Sequence, residues 1–359
     1  MAQVYGQVES LTRVLRGLAQ VGHKGLTRLD QVLQLRTEVE EAYGLLEDQQ
    51  HALLDRESIA LEEEVHQLQI VYEQALADRI KKQEAEITEL DEQLIRLRTR
   101  GQENLWLGLR TILFAALINI YRNARQDRFA RQRQSFKARE ERPVRELKSR
   151  LSYLKTYPEK VVHERMLEAD ERLVQTKQLL DAMNSTLIGA VGEDRVYREL
   201  MRLPDTYFVL NDFFVEFDPP LYQQSTGSYI RQVQVDHLVI SRAGVFLIET
   251  KNWSKDSFDR ARSWTPEDQI QRAGYALFIL LNGKGFFKWR FFDRRYWKPQ
   301  KIRVRNVVAL TRHKPHTANS LVQWKRVEEL NSYLLQRPEE WTQKEVQRMA
   351  KYLLKFSGL

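Results

Sequence analysis

Two carboxylates and one lysine stand out as residues that could do chemistry together. They are Asp236, Glu249 and Lys251, in the segments Gln-Val-Asp-His-Leu-Val-Ile (234–240) and Val-Phe-Leu-Ile-Glu-Thr-Lys (245–251). Both segments are rich in β-branched and aliphatic residues. The connection Ser241-Arg242-Ala243-Gly244 is short, polar and ends in glycine, which predicts a β-hairpin of strands 230–240 and 245–251. Pairing symmetric about that turn puts Asp236 directly opposite Glu249. Lys251 then shares the face of Glu249, because strand side chains alternate. Carboxylates facing each other among Val, Leu, Ile and Phe repel, and a bare buried pair must take up a proton. A hard divalent cation between them removes that cost, and all-oxygen ligation suits Mg²⁺ or Mn²⁺. The lysine would then stand beside a metal-activated water or a scissile phosphate. A structural ion pair between neighbouring strands is the alternative reading of the same three residues.

The flanking sequence carries a more specific signal. Gly189-Ala190-Val191-Gly192-Glu193-Asp194-Arg195-Val196 precedes the hairpin, Asn252-Trp253 follows it, and Thr265-Pro266-Glu267-Asp268-Gln269 comes next. In this order the blocks resemble the nuclease-related domain (NERD) family of the PD-(D/E)xK nuclease superfamily, over about residues 187–315 and toward the C-terminus. The resemblance implies Glu193 as the helix glutamate completing a metal site, Asp236 and Glu249 as the strand carboxylates, and Lys251 as the motif lysine. It also implies Gln269 as the glutamine opening the following helix, although Gln271 with Tyr275 offers a second register for that step. The implied cofactor is Mg²⁺ or Mn²⁺, and the implied reaction is hydrolysis of a DNA phosphodiester, in DNA processing or defence against foreign DNA, phage included.

His237 follows the aspartate and, by alternation, points to the opposite face of the sheet, so it is expected as a packed core histidine. Asn252 and Trp253 are expected to end the strand and cover the rim of the site. Residues 284–305 hold nine basic residues and one acid, Asp293, interleaved with seven aromatic rings. Lys284, Lys288, Arg290, Arg294 and Arg295 are the candidate nucleic-acid contacts there, with rings available to stack bases. The same pattern also suits core aromatics beside a solvated basic face, with a strand over 302–310.

The elements that must carry these residues fall in two halves. Before residue 187 the only prolines are Pro143 and Pro158, and strand signal is slight. Leu61, Val65, Leu68, Tyr72 and Ala75 follow heptad spacing. After a one-residue shift Leu76, Ile80, Gln83, Ile87, Leu90, Leu94 and Leu97 continue it. A second run passes through Val162, Met166, Ala169, Leu173, Thr176, Leu180, Met183 and Leu187. An antiparallel hairpin and a parallel dimer both satisfy this pattern. Residues 1–58 also read as helical, with a break at 21–25. Residues 105–121 form an apolar stretch interrupted by Arg110 and Asn119, and a basic tract fills 122–139. A buried oligomer-core helix ranks first for 105–121, membrane contact second and a partner-binding tip third. The tract would serve lipid or DNA phosphates equally.

The expected class is therefore α + α/β. Long N-terminal helices (1–58 helical, 59–186 coiled-coil arms) precede a PD-(D/E)xK-type α/β domain at 187–359, with a central mixed sheet flanked by helices. Of the 359 residues, 42% are hydrophobic, which excludes wholesale disorder. The absence of cysteine excludes disulfide scaffolds, thiolate metal sites and thiol nucleophiles. A net charge of +8 favours polyanionic partners. The opening residues lack the basic-then-apolar profile of a signal peptide, so a cytoplasmic location is expected. The expected partners are DNA, further copies of this chain through its helical half, and a possible partner protein. A non-cleaving DNA-binding adaptor and a membrane-associated sensor acting through 105–139 are the competing functions. The last 33 residues, 327–359, read as two amphipathic helices split by Pro338, with no assigned chemistry.

Overall fold

The computed structural model describes residues 1–100, 105–252, 266–283, 301–312 and 321–357. The candidate contacts Lys284, Lys288, Arg290, Arg294 and Arg295, together with Trp253, lie outside the described residues. The chain divides into two compact units, one of residues 1–40 with 172–359 and the other of residues 41–171.

The first unit is built on a six-stranded mixed sheet in sequential order: β1 (Gln3–Tyr5), β2 (Phe208–Gln223), β3 (Ser228–Ser241), β4 (Gly244–Lys251), β5 (Val304–Leu310) and β6 (Val322–Arg326). The β2–β3 and β3–β4 pairs are antiparallel, and the other three neighbours are parallel. The β3–β4 hairpin takes the predicted register, from Ser241↔Gly244 through Ile240↔Val245 to His237↔Ile248. Its two-residue turn needs the left-handed backbone of Gly244, at φ +111°.

Strand alternation splits the core in two. Leu238, Ile240, Val245, Leu247 and Val308 face α6 (Pro266–Asn282) and α8 (Gln343–Ser357), against Ile270, Leu277, Met349 and Leu353. Val239, Phe246, Ile248, Val307 and Ala309 face α5 (Asn184–Met201) and α7 (Val327–Leu335), against Val196, Leu200, Leu330 and Leu334. Pro266 stands first in α6, where its missing N–H costs nothing, and Glu267 and Asp268 follow where the helix dipole favours acids.

The N-terminal segment joins this unit rather than a separate helical region. β1 extends the sheet beside β2. Val14 and Leu18 of α1 (Glu9–Gln20) pack with Leu187 and Ala190 of α5, and with Leu29, Val32 and Val39, which begin α2 (Leu29–Arg100). The expected break falls between α1 and α2.

In the second unit α2 runs antiparallel to α3 (Leu105–Thr156). As numbering rises along α2, partner numbering falls. Tyr72 Oη donates to Glu141 (3.0 Å), Arg133 Nε to Gln83 (2.6 Å), Arg125 pairs with Glu86 (3.1 Å) and Arg122 with Asp91 (2.6 Å). The heptads thus resolve as an intrachain hairpin. Every residue of the α2 heptad run is buried or half-buried except Ala75, where the frame shifts. The second run loses its seam at Ala169, exposed beside the non-helical Asp170 of α4 (Pro158–Ala182).

Two features of α3 bear on partners. Arg122, Arg125 and Arg133 of the basic tract are spent on α2, so only part of that charge faces solvent. Ile112, Leu113, Phe114, Leu117, Ile120 and Tyr121 are 55–67% exposed in the single chain. Among the described residues no helix is long and apolar enough to cross a membrane.

Candidate active site

The site forms where β3 and β4 separate. Their ladder ends at His237↔Ile248, one step short of Asp236 and Glu249. At that step the Thr250 N–H donates to the Asp236 carboxylate (2.6 Å), so a side chain occupies an amide at the end of the ladder. Asp236 and Glu249 share the α6 face of the sheet by alternation with Leu238 and Leu247, as does Lys251. Glu249 is buried, and Lys251 Nζ donates to its Oε1 at 2.7 Å.

Glu193 reaches this region from α5. Its helix can lie close to the strand because position 192 is glycine. A Cβ there would come within 2.9 Å of the Asn252 side chain. Asn252 in turn donates to the Ile188 carbonyl (2.9 Å) and accepts from the Thr311 hydroxyl (2.6 Å), tying the start of α5 to the ends of β4 and β5. The strand-ending role expected of Asn252 is this brace.

The electrostatics are those of crowded acids. Burial, then the charges of Glu249 and Glu193, push the Asp236 carboxyl well above its ordinary range, against the opposing pull of the Thr250 amide and Lys251. Burial also raises Glu193, and Glu9 and Glu249 add to the rise. Ser10 opposes it, donating its hydroxyl to Glu193 Oε1 at 2.6 Å.

The donor set is all oxygen, and its mutual repulsion is relieved by a bound cation, so its chemistry fits a hard divalent ion. Convergence is the part not in place. Among the described residues no three acidic or imidazole side chains are grouped to hold a metal. The physical reason is competition, since Glu193 is turned to Ser10, Glu249 to Lys251 and Asp236 to the Thr250 amide. An ion binding here must exchange some of these bonds.

His237 lies on the opposite face, fully buried, and burial lowers its pKa to about 3, so it is neutral. Asn211 donates its amide to the Gly6 carbonyl and presents Oδ1 to His237 Nδ1 at 2.8 Å, which assigns the ring proton to Nδ1. Gln269 and Gln271 are both half-buried early in α6, and Tyr275 is committed to the Tyr222 carbonyl (3.1 Å).

Sequence reasoning missed two residues here. Ser10 lies 183 positions from Glu193 and had no motif to announce it. Asp212, which the β2–β3 register would set beside Asp236, has a left-handed backbone at φ +50°. That conformation takes it out of the ladder, and Gln234 donates to its carboxylate at 2.7 Å. Aspartate tolerates the left-handed region better than most residues.

Comparison with known proteins adds a family match for part of the chain. Residues 188–338 match the nuclease-related domain. The chain is also 38% identical over 81 residues to an uncharacterized protein of Bacillus anthracis, covering 21% of this chain and 33% of that relative. It thus spans about a third of the relative's length. No solved structure matches it. The nuclease-related match contains all of the candidate site except Ser10, which the chain supplies from its N-terminal segment. It also stops short of α8, whose Val346, Met349 and Leu353 complete the core on the α6 face.

The crowding makes a stability prediction. A carboxyl whose folded pKa is raised destabilises the fold as pH climbs above the ordinary carboxylate range, because ionising it is harder in the native state than in the unfolded one. Asp236→Asn keeps an oxygen for the Thr250 amide and removes the charge. Melting in EDTA should show the variant more stable than wild type by about 1 kcal/mol at neutral pH, the gap closing toward pH 4. A variant less stable across this range would contradict the crowding.

Proposed function

We propose that residues 187–359 act as a metal-dependent nuclease on DNA, with the N-terminal segment completing the site. The observation that carries this reading is the placement of Asp236, Glu249 and Lys251 on one sheet face at the separating ends of β3 and β4. It stands inside a region matching the nuclease-related domain. Asp236 and Glu249 would hold Mg²⁺ or Mn²⁺, joined by Glu193 once it releases Ser10. Such an ion supplies activation of water and neutralisation of phosphate charge. Lys251, freed from Glu249, turns its ammonium to the phosphate and stabilises the charge that builds there. Gln269, near the start of α6, positions the backbone of the strand. The chain's net charge of +8 supports a polyanionic substrate. DNA processing and defence against foreign DNA both suit this activity, and a cytoplasmic setting suits a chain without cysteine.

A second reading, a nucleic-acid-binding adaptor that does not cut, is favoured by one observation. The three carboxylates are satisfied by Ser10, Lys251 and Thr250 rather than grouped. We also propose self-association through residues 112–121, because an exposed apolar patch of six large side chains marks an interaction surface.

Cleavage of plasmid and phage DNA separates the first two readings. The intact chain should cut in Mg²⁺ or Mn²⁺ and stop in EDTA. Asp236→Asn and Lys251→Ala should each lose at least about 100-fold in rate while remaining folded. Wild-type rates from either variant would overturn the assignment, and a wild type that binds DNA without cutting would establish the adaptor. For self-association, sedimentation should give an oligomer that Leu113→Asp with Leu117→Asp converts to monomer. A monomeric wild type at micromolar concentration would refute it.

A further inference from the structure

An arginine-lined cleft lies beside the candidate site, at the C-terminal ends of the parallel strands β5 and β6. It encloses about 480 Å³, bordered by Arg195, Thr311, Arg312, Arg326, Glu328 and Glu329. Its position relative to the site is fixed by the chain. Arg195 follows Glu193 by two residues on α5, which turns the two side chains to different sides of that helix. The Thr311 N–H donates to the carbonyl of Lys251 at 3.3 Å, so the cleft opens at the same end of the sheet as the site but on its α5 and α7 side.

The charges in the cleft are unequally engaged. Arg195 is braced, with Nη1 donating to the Thr311 carbonyl (2.9 Å) and Nη2 paired with Glu328. Glu329 accepts the backbone N–H of Arg326 at 3.1 Å, which directs that carboxylate to the start of α7. The Arg312 and Arg326 side chains are exposed and form no ion pair among the described residues. Two guanidinium groups are therefore left to the cleft, and guanidinium presents donors in a fork that matches phosphate oxygens.

We infer that this cleft holds a backbone phosphate of the nucleic-acid strand, further along the strand from the phosphate at Lys251. The inference rests on the proposed nuclease reading for its substrate class and goes beyond it in naming the anchor. A free nucleotide offers the same phosphate chemistry. However, no aromatic ring lines the cleft among the described residues, so nothing there stacks a base. The polymer is the ligand this favours, and Arg312 and Arg326 set its path across the protein without touching the cleavage chemistry.

Binding in EDTA tests this apart from cutting. Fluorescence anisotropy with a labelled 20-nucleotide DNA, single-stranded and duplex, is measured for the intact wild-type chain and for Arg312→Ala with Arg326→Ala across a salt series. The double variant should melt with the wild type, bind about tenfold more weakly, and show a salt slope shallower by about 1 to 2. Arg312→Lys with Arg326→Lys should restore the slope. Unchanged affinity and slope in the alanine variant would overturn the anchor even if the wild type cuts DNA. Weaker binding by that variant alongside a wild type that never cuts would leave the anchor standing and remove the nuclease. Displacement of the oligonucleotide by equimolar ATP or pyrophosphate would reassign the cleft to a free nucleotide.

Discussion

Repulsion among carboxylates at the open end of a hairpin is the constraint on which the site depends. Asp236 and Glu249 are set on one face by a register that the Gly244 turn fixes, and Glu193 is added by a helix that Gly192 lets in close. Each acid is individually tolerable because it has a donor: the Thr250 amide, Lys251 or Ser10. Burial first, and the charges of Glu249 and Glu193 after it, still hold Asp236 well above its ordinary pKa. Packing alone gives no reason to bring these acids near one another, and the proposed cation would give one.

The rest of the first unit serves to hold that locus open. Two hydrophobic layers clamp the sheet from either side, so the ends of β3 and β4 can separate without unravelling the core. Asn252 links α5, β4 and β5 at the rim. The Ser10 contact makes the N-terminal segment part of the site, although it lies outside the nuclease-related match. The bond that orients Glu193 is also one that the proposed metal would have to exchange, so α1 and the site meet at a single carboxylate.

The sequence made the hairpin legible because its signals are local: alternating aliphatic residues, a turn glycine, and carboxylates at fixed offsets from it. The register followed from symmetry, and the opposite-facing His237 from alternation. The α2 seam was also legible, down to the frame shift at Ala75. Its choice of an antiparallel partner was not, because heptads specify a face and leave the direction of the partner open. What escaped reading was non-local. β1 is three residues long, too short for a periodicity signal, and its place in the sheet depends on β2 some two hundred residues away. Ser10 became visible only once α1 packed on α5, and Asp212 only once β2 paired with β3. Arg122 and Arg125 read as a free basic tract because their acidic partners, Asp91 and Glu86, lie on the other arm of the hairpin.

If these acids are arranged for a hard cation, as proposed, the protein should respond to that cation alone. Thermal melting of the intact chain with Mn²⁺ addresses it without reference to any substrate. A ligand that binds only the native state raises stability by about 2.7 kcal/mol at a hundredfold excess over its dissociation constant. The wild type should show a saturable rise in melting temperature, and Glu249→Gln should show none. A wild type indifferent to Mn²⁺, or a variant that gains as much as the wild type, would contradict the proposal.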